Sequence, residues 1–196
     1  ASSGRDYGAR ISDCAGRMDA LIRDLLDYSR LSRAAMRVEP LSLDAAVGEA
    51  IELQTLDAGG FHEPKLQMPE IRVANPLGDV MGHAPTVVQM FANLIGNAIK
   101  FVRPQTHPLV IIRSETRGPR IRVWVEDNGI GVDPQHQTRI FHVFERLHGA
   151  SEFPGTGIGL AIVRKGAERL GGEAGVESSY GTGSRFWFEL KRVSKE

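Results

Sequence analysis

Ile11, Cys14, Met18, Leu21, Leu25 and Tyr28 recur at alternating steps of three and four, and Ile22 and Leu26 widen the stripe. That period places them on one face, and the spacing predicts a single long helix over 8–33. Arg10, Arg17, Arg23 and Asp24 fall off the stripe. Nothing nearby in the chain covers it, so it reads as the seam of a bundle or coiled coil that needs a partner helix. Residues 33–40 read as a short linker.

A second unit begins at Leu41. Ser42 or Asp44 can cap a helix that runs to about Leu56 and is ended by Gly59 and Gly60. Short apolar runs over 63–82, broken by Pro64, Pro69 and Pro76, suggest brief strands with turns. Residues 86–101 read as an apolar helix. Residues 109–116 and 120–126 alternate apolar and polar across Arg117-Gly118-Pro119, which is an antiparallel hairpin signal. A small helix is expected over 135–144, followed by a loop. A helix over 159–170 is stopped by Gly171 and Gly172. A last hairpin joins 173–177 to 184–191. Helices mixed with hairpins indicate an α+β, two-layer sandwich rather than a βαβ array. The expected division is a helix at 1–36 and a compact unit at 37–196.

The chain has 196 residues, 41% of them apolar, enough for one core with an extension. Lysine plus arginine equals aspartate plus glutamate, 24 against 24, so no net basic field favours nucleic acid or an anionic membrane. Cys14 is the single cysteine, which excludes an intrachain disulfide and disfavours a thiolate metal site. A reducing, cytoplasmic setting fits best, and Cys14 is expected to be a small buried hydrophobe. No apolar run reaches the roughly 20 residues needed to span a bilayer. No signal-peptide pattern opens the chain, and residues 1–4 read as a cut end.

Three groups of residues carry candidate chemistry. Asn93, Asn97 and Lys100 lie at steps of four and three and share a helix face. A carboxamide oxygen can ligate Mg²⁺ and an ammonium can meet a phosphate; a solvated polar stripe would look the same. Asp127 follows the run 121–125 and precedes Asn128-Gly129-Ile130-Gly131. A carboxylate at a strand end can accept from an exocyclic amine such as that of adenine, and the glycines leave room for a flat ring. An ordinary Asp-Asn-Gly turn is the plain alternative. Gly155, Gly157 and Gly159 form a glycine-rich turn entering a helix, a place where backbone N–H groups can face phosphate. No Gly-Lys-Ser/Thr follows, so this is not a P-loop. Leu160 stands where a dinucleotide fingerprint needs its third glycine, and no strand directly precedes it, which disfavours hydride transfer.

Taken in order, these groups resemble the N, G1 and G2 boxes of the catalytic ATP-binding domain of sensor histidine kinases. That family belongs to the ATPase group that includes gyrase B, MutL and heat-shock chaperones. Ile140-Phe141-His142-Val143-Phe144-Glu145-Arg146-Leu147-His148 resembles the F box, and Gly181-Thr182-Gly183-Ser184 the last glycine box. The block Phe144 to His148, with Glu152 to Leu160, is most similar to phytochrome-type and PAS-linked kinases. The resemblance runs over about 8–192. It implies a Bergerat-type fold, with a mixed sheet carrying helices on one face, preceded by the second helix of a dimerisation bundle. It further implies that Asn97 ligates Mg²⁺, that Asn93 lines the triphosphate side, and that Lys100 reaches phosphate. Phe101 would wall the adenine and Asp127 would hold its amine, with Gly129 and Gly131 shaping the pocket. Gly155, Gly157, Gly159 and Leu160 would form the phosphate turn, Thr182 would complete the adenine end, and Arg146 would stabilise the transferred phosphoryl. The loop 147–155 would be a mobile lid.

The family's phosphoacceptor histidine lies in an H box, His-Glu/Asp-x-x-x-Pro, on a helix before the one at 8–33. Of six histidines, only His62-Glu63 imitates it, and Pro64 fits poorly in the helix that box requires. The chain is expected to start after the H box, to bind Mg·ATP, and not to label itself. Implied partners are a response regulator receiver domain and the missing helix or a second protomer, with no nucleic acid or membrane contact. Two rivals stand beside this: an anti-sigma-type serine/threonine kinase, and a non-catalytic docking module on the same fold. His83 stands where relatives usually carry aspartate.

Overall fold

The computed structural model describes residues 2–33, 35–58, 69–147, 149, 153 and 155–194. A long helix α1 (Ser2–Arg33) leads into strand β1 (Glu39–Ser42), helix α2 (Leu43–Ala58) and strands β2 (Glu70–Val73) and β3 (Asp79–Gly82). Helix α3 (Ala84–Lys100), the hairpin β4 (Leu109–Arg117) and β5 (Arg120–Asp127), helix α4 (Gly159–Arg169), and the hairpin β6 (Glu173–Ser178) and β7 (Ser184–Lys191) follow.

Five strands form one sheet in the order β2-β4-β5-β7-β6, and β1 pairs with β3 in a separate ribbon. β2 runs parallel to β4, and the other pairs are antiparallel, so the sheet is mixed. Strand alternation sorts its two faces. Val110, Ile112, Val123, Val125, Phe186, Phe188 and Leu190 share one buried core with residues of α2, α3 and α4. The Phe91 ring of α3 meets Phe188 edge-on at 5.2 Å. The opposite face carries Trp124 and Trp187, with the Arg122 guanidinium 3.8 Å over the Trp187 ring. Arg122 also donates to Glu189 at 2.6 Å. Helices therefore cover one face, and a cation–π and ion-pair layer finishes the other.

Helix α2 is capped by Ser42, whose hydroxyl accepts from Ala45 N–H at 3.4 Å. Asp44 instead accepts from Leu77 N–H at 3.0 and 3.1 Å and ties α2 to the turn before β3. Gly59, Gly60, His62, Glu63 and Pro64 lie outside the described residues, as do His148, Glu152 and Pro154 of the loop expected as a lid. In place of the small helix expected over 135–144 there are two 3-10 turns, Pro134–His136 and Arg139–Phe141. Asp133 caps the first turn through Gln135 N–H at 3.0 Å. The Gln137 amide then donates to Ser178 O at 2.7 Å, pinning the segment to β6 before a helix can propagate. Helix α4 ends in a Schellman arrangement: Gly172 N–H meets Ala167 O at 2.8 Å, Gly171 N–H meets Glu168 O at 3.0 Å, and Gly171 has φ +73°.

Only the last turns of α1 bury apolar side chains against the body. Leu31 is buried with Ile158 and Ile162, and Tyr28, Met36 and Val143 pack beside them. Arg169 donates to Ser32 O. Earlier in the helix the stripe is open: Met18 is 64% exposed, and Ile22, Leu25 and Leu26 are exposed as well. Cys14 is exposed, not buried as expected: it lies on the part of the stripe that no core residue covers.

Candidate functional site

The apolar residues of α3, among them Phe91, Leu94, Ile95 and Ala98, point into the core, and this turns Asn93, Asn97 and Lys100 to the other side. Asn93 donates to Gln89 O at 2.9 Å, which fixes its rotamer along the helix. His83 occupies the N-cap of α3, with Nδ1 2.9 Å from the Thr86 hydroxyl. Lys100 stands at the last turn, its Nζ 4.3 Å from the centre of the Phe101 ring. Its pKa is lowered from 10.5 to about 8, first by burial and then by the nearby Arg146; Asp24 opposes both. A cation held so close to another cation, and partly out of water, favours an incoming anion.

Asp127 ends β5. Its Oδ1 accepts from Gly129 N–H at 2.9 Å and from Ser184 N–H at 3.1 Å. Both bonds fall on one oxygen, so Oδ2 can accept from a ligand. Burial raises the pKa from 3.8 to about 6, and the two N–H donors oppose it. The turn that follows is stapled on two sides: Ile130 N–H donates to Phe101 O at 2.9 Å, and Ile130 O accepts from Gly181 N–H at 2.7 Å. Gly131 is in the left-handed region at φ +74°, and a Cβ there would lie 2.2 Å from Ser179 O. Only glycine fits that close approach.

The glycine turn brings the third group. Gly157 O accepts from Phe144 N–H at 3.0 Å. Arg146 clips the turn by donating to Gly155 O at 2.6 Å and to Phe153 O at 2.9 Å. Helix α4 then begins at Gly159, and its first N–H groups have no acceptor within the helix. A Cβ on Gly159 would stand 2.5 Å from Asn93 Oδ1, so α3 and the turn touch through that glycine.

One cavity of about 320 Å³ gathers these elements. Asn93, Asn97, Lys100, Phe101, Asp127, Gly131, Arg146, Gly155, Gly157, Gly159 and Leu160 all line it, although the chain separates them widely. Two expected residues do not. Gly129 backs the turn instead, where a Cβ would lie 2.4 Å from Phe101 O. Thr182 is exposed, and its hydroxyl donates to Ser179 O at 2.9 Å. Its neighbour Ser184, which binds Asp127, lines the cavity in its stead. Thr156, Ile130, Phe186 and Phe153 line it too, as do Ala20 and Asp24 of α1. Thr156 lies inside the recognised turn and was open to sequence reasoning. Ala20 and Asp24 carried no signal, because their role depends on where α1 docks.

The lining combines apolar Ile130, Val132, Ile140 and Phe186 and the Asp127 carboxylate with a second set, the cations Lys100 and Arg146. A flat base with an amine fits the first, and a polyphosphate fits the second. No group of three His, Cys, Asp or Glu side chains that could hold a metal occurs among the described residues. A divalent ion here would rest on a carboxamide oxygen and phosphate oxygens, a hard-donor set suited to Mg²⁺.

Residues 82–194 match the family described as histidine kinase-, DNA gyrase B-, and HSP90-like ATPase. Cyanobacterial phytochrome A of Nostoc sp. is 36% identical over 179 residues, covering 91% of this chain and 22% of that protein. Signal transduction histidine-protein kinase BarA of Escherichia coli is 29% identical over 197 residues, covering 95% of this chain and 21% of that protein. The chain thus spans about a fifth of the length of these curated relatives. A crystal structure of full-length ShkA in complex with AMPPNP superposes with a TM-score of 0.73 at 27% identity, over 97% of this chain and 40% of that one. Matched over more than half of its length, the chain belongs to this ATPase family, and its relatives place it with the ATP-binding catalytic domains of histidine kinases.

Proposed function

We propose that this member of the histidine kinase-like ATPase family holds Mg·ATP and supplies the γ-phosphoryl that a two-component sensor kinase transfers to its histidine. Asp127 would accept from the adenine amine through Oδ2, with Phe101 walling the base. Lys100 and the N–H groups of the turn from Gly155 to Leu160 would hold the phosphates, with Asn93 beside them. Asn97 would ligate Mg²⁺, which supplies charge neutralisation between the phosphates. Arg146 would meet charge developing on the transferred group. Transfer breaks the bond from the γ-phosphorus to its bridging oxygen, forms a P–N bond, and leaves ADP. Such a reaction needs positioning and charge, and little covalent chemistry from the protein.

The observation that carries the proposal is the convergence of Asp127, Asn97, Lys100 and the 155–160 turn on one cavity. Residues 1–36 are read as part of a phosphoacceptor and dimerisation bundle and 37–196 as the ATP-binding unit. The receiver domain of a response regulator would take the phosphoryl onward. No helix among the described residues is long and apolar enough to cross a membrane. The proposed use of ATP places this part of the protein in the cytoplasm.

The test is transfer in trans. The chain is incubated with labelled Mg·ATP and a helical hairpin carrying an H-box histidine. Acid-labile, base-stable label on the hairpin, with none on the chain itself, is expected. Acid-stable label on serine or threonine would replace the reading with the serine/threonine kinase class.

A further inference from the structure

The ATP-binding elements do not enclose the phosphate end of the cavity by themselves. Ala20 and Asp24 of α1 line it together with Asn93, Asn97, Lys100, Gly155 and Thr156. The Thr156 hydroxyl donates to Asp24 Oδ2 at 2.5 Å, joining two residues 132 positions apart in the chain. Ile158 N–H in turn reaches Thr156 Oγ1 at 3.3 Å, so the contact bears directly on the entry to α4. Asp24 also lies within electrostatic range of Lys100, favouring its charged form.

Contacts outside the cavity hold α1 in this position. Leu31 is buried against Ile158 and Ile162. Gln89 donates to Asp27 at 3.3 Å, and Arg169 donates to Ser32 O. The docked helix therefore sets a carboxylate among the donors proposed for phosphate.

A carboxylate and a phosphate accept from the same ammonium and hydroxyl groups, and they repel one another. We infer that docked α1 is an inhibitory strap, in which Asp24 occupies the Thr156 hydroxyl at the cavity wall and its charge opposes entry of a triphosphate. The inference rests on the ATP reading of the cavity. It makes α1 docking and triphosphate binding antagonistic, and linkage requires each to weaken the other equally. The nucleoside end at Asp127 is unaffected, so the antagonism grows with the number of phosphates.

Calorimetric titration of the chain with adenosine, Mg·ADP and Mg·AMPPNP tests this against two variants. Asp24→Asn keeps the shape of the side chain and its acceptor for Thr156 but removes the charge. It is expected to bind Mg·AMPPNP about tenfold more tightly at low salt, Mg·ADP with a smaller gain, and adenosine as the wild type does. Leu31→Ala weakens docking from outside the cavity and is expected to tighten Mg·AMPPNP as well. Unchanged or weaker Mg·AMPPNP binding by Asp24→Asn overturns the strap, the weaker result making Asp24 a productive ligand. Unchanged binding by Leu31→Ala overturns it too. If the wild type and both variants bind none of the three ligands, the ATP reading itself fails and the strap falls with it.

Discussion

Replacing Asp127 by asparagine separates the two demands on its carboxylate. Oδ1 already accepts from Gly129 N–H at 2.9 Å and Ser184 N–H at 3.1 Å, and an amide oxygen can do the same. The second oxygen becomes an NH₂ group, so on the proposed pose a donor would face the adenine amine. Losing a charge-assisted bond costs about 1.5–3 kcal/mol, and leaving opposed donors unsatisfied adds about 1–3 kcal/mol. Together they weaken nucleotide binding by about two to four orders of magnitude.

Stability moves the other way. The Asp127 pKa rises from 3.8 to about 6, chiefly through burial. The folded state therefore holds this proton more tightly than the unfolded state does. Stability is lost as pH climbs through that window, and the ionised carboxylate costs ~3 kcal/mol at neutral pH. The amide removes that cost, while its two backbone bonds become weaker ones. Asp127→Asn should thus be at least as stable as the wild type at pH 7 and should lack its decline between pH 4 and pH 6. Urea midpoints at several pH values, paired with calorimetric titration of Mg·AMPPNP, measure both effects. A folded variant that binds within about threefold of the wild type would refute the adenine assignment. A variant that is markedly less stable at pH 7 would refute the cost assigned to the buried charge.

Nucleotide affinity should peak between about pH 6 and pH 8 in a pH series of titrations. Asp127 becomes protonated at the acid side and Lys100 loses its charge at the alkaline side, so a flat profile would count against both roles. Gly131→Ala forces φ +74° on a residue whose Cβ would lie 2.2 Å from Ser179 O, and should lower stability by about 1–3 kcal/mol with loss of nucleotide binding; an unchanged melting curve would contradict this turn. Arg146→Ala frees Gly155 O and Phe153 O, so amide exchange near Gly155–Gly157 should quicken; exchange at the wild-type rate would show that the clip is idle. Gly175→Ala puts a Cβ 2.5 Å from the Trp187 ring on the far face of the sheet. It should cost about 1–3 kcal/mol by overpacking and leave Mg·AMPPNP affinity unchanged, and a changed affinity would show coupling across the sheet.

The hairpins could be read from sequence because strict alternation across Gly118-Pro119 and across 179–183 carries both the strand and the buried face. α3 was legible for the same reason at helical period, and its three polar residues stood out against an apolar helix. β1 and β3 were not identified as a pair: each has four residues, Pro40 sits in one, and their pairing is set by the fold around them. The two 3-10 turns depend on Gln137 reaching β6, a contact no local pattern encodes. Within the site, the Gly-Thr-Gly-Ser motif pointed to Thr182, while the residue of that motif that binds Asp127 and lines the cavity is Ser184. The apolar stripe of α1 was legible, yet its C-terminal turns dock on α4 and leave Cys14 and Met18 exposed, and only that docking gives Asp24 a place in the cavity.

The most direct measurement is a crystal structure of this chain with Mg·AMPPNP. The adenine amine is expected on Asp127 Oδ2, the ion on Asn97, and the phosphates along Lys100 and the N–H groups after Gly157. A nucleotide bound elsewhere, or bound here with its base away from Asp127, would contradict this placement.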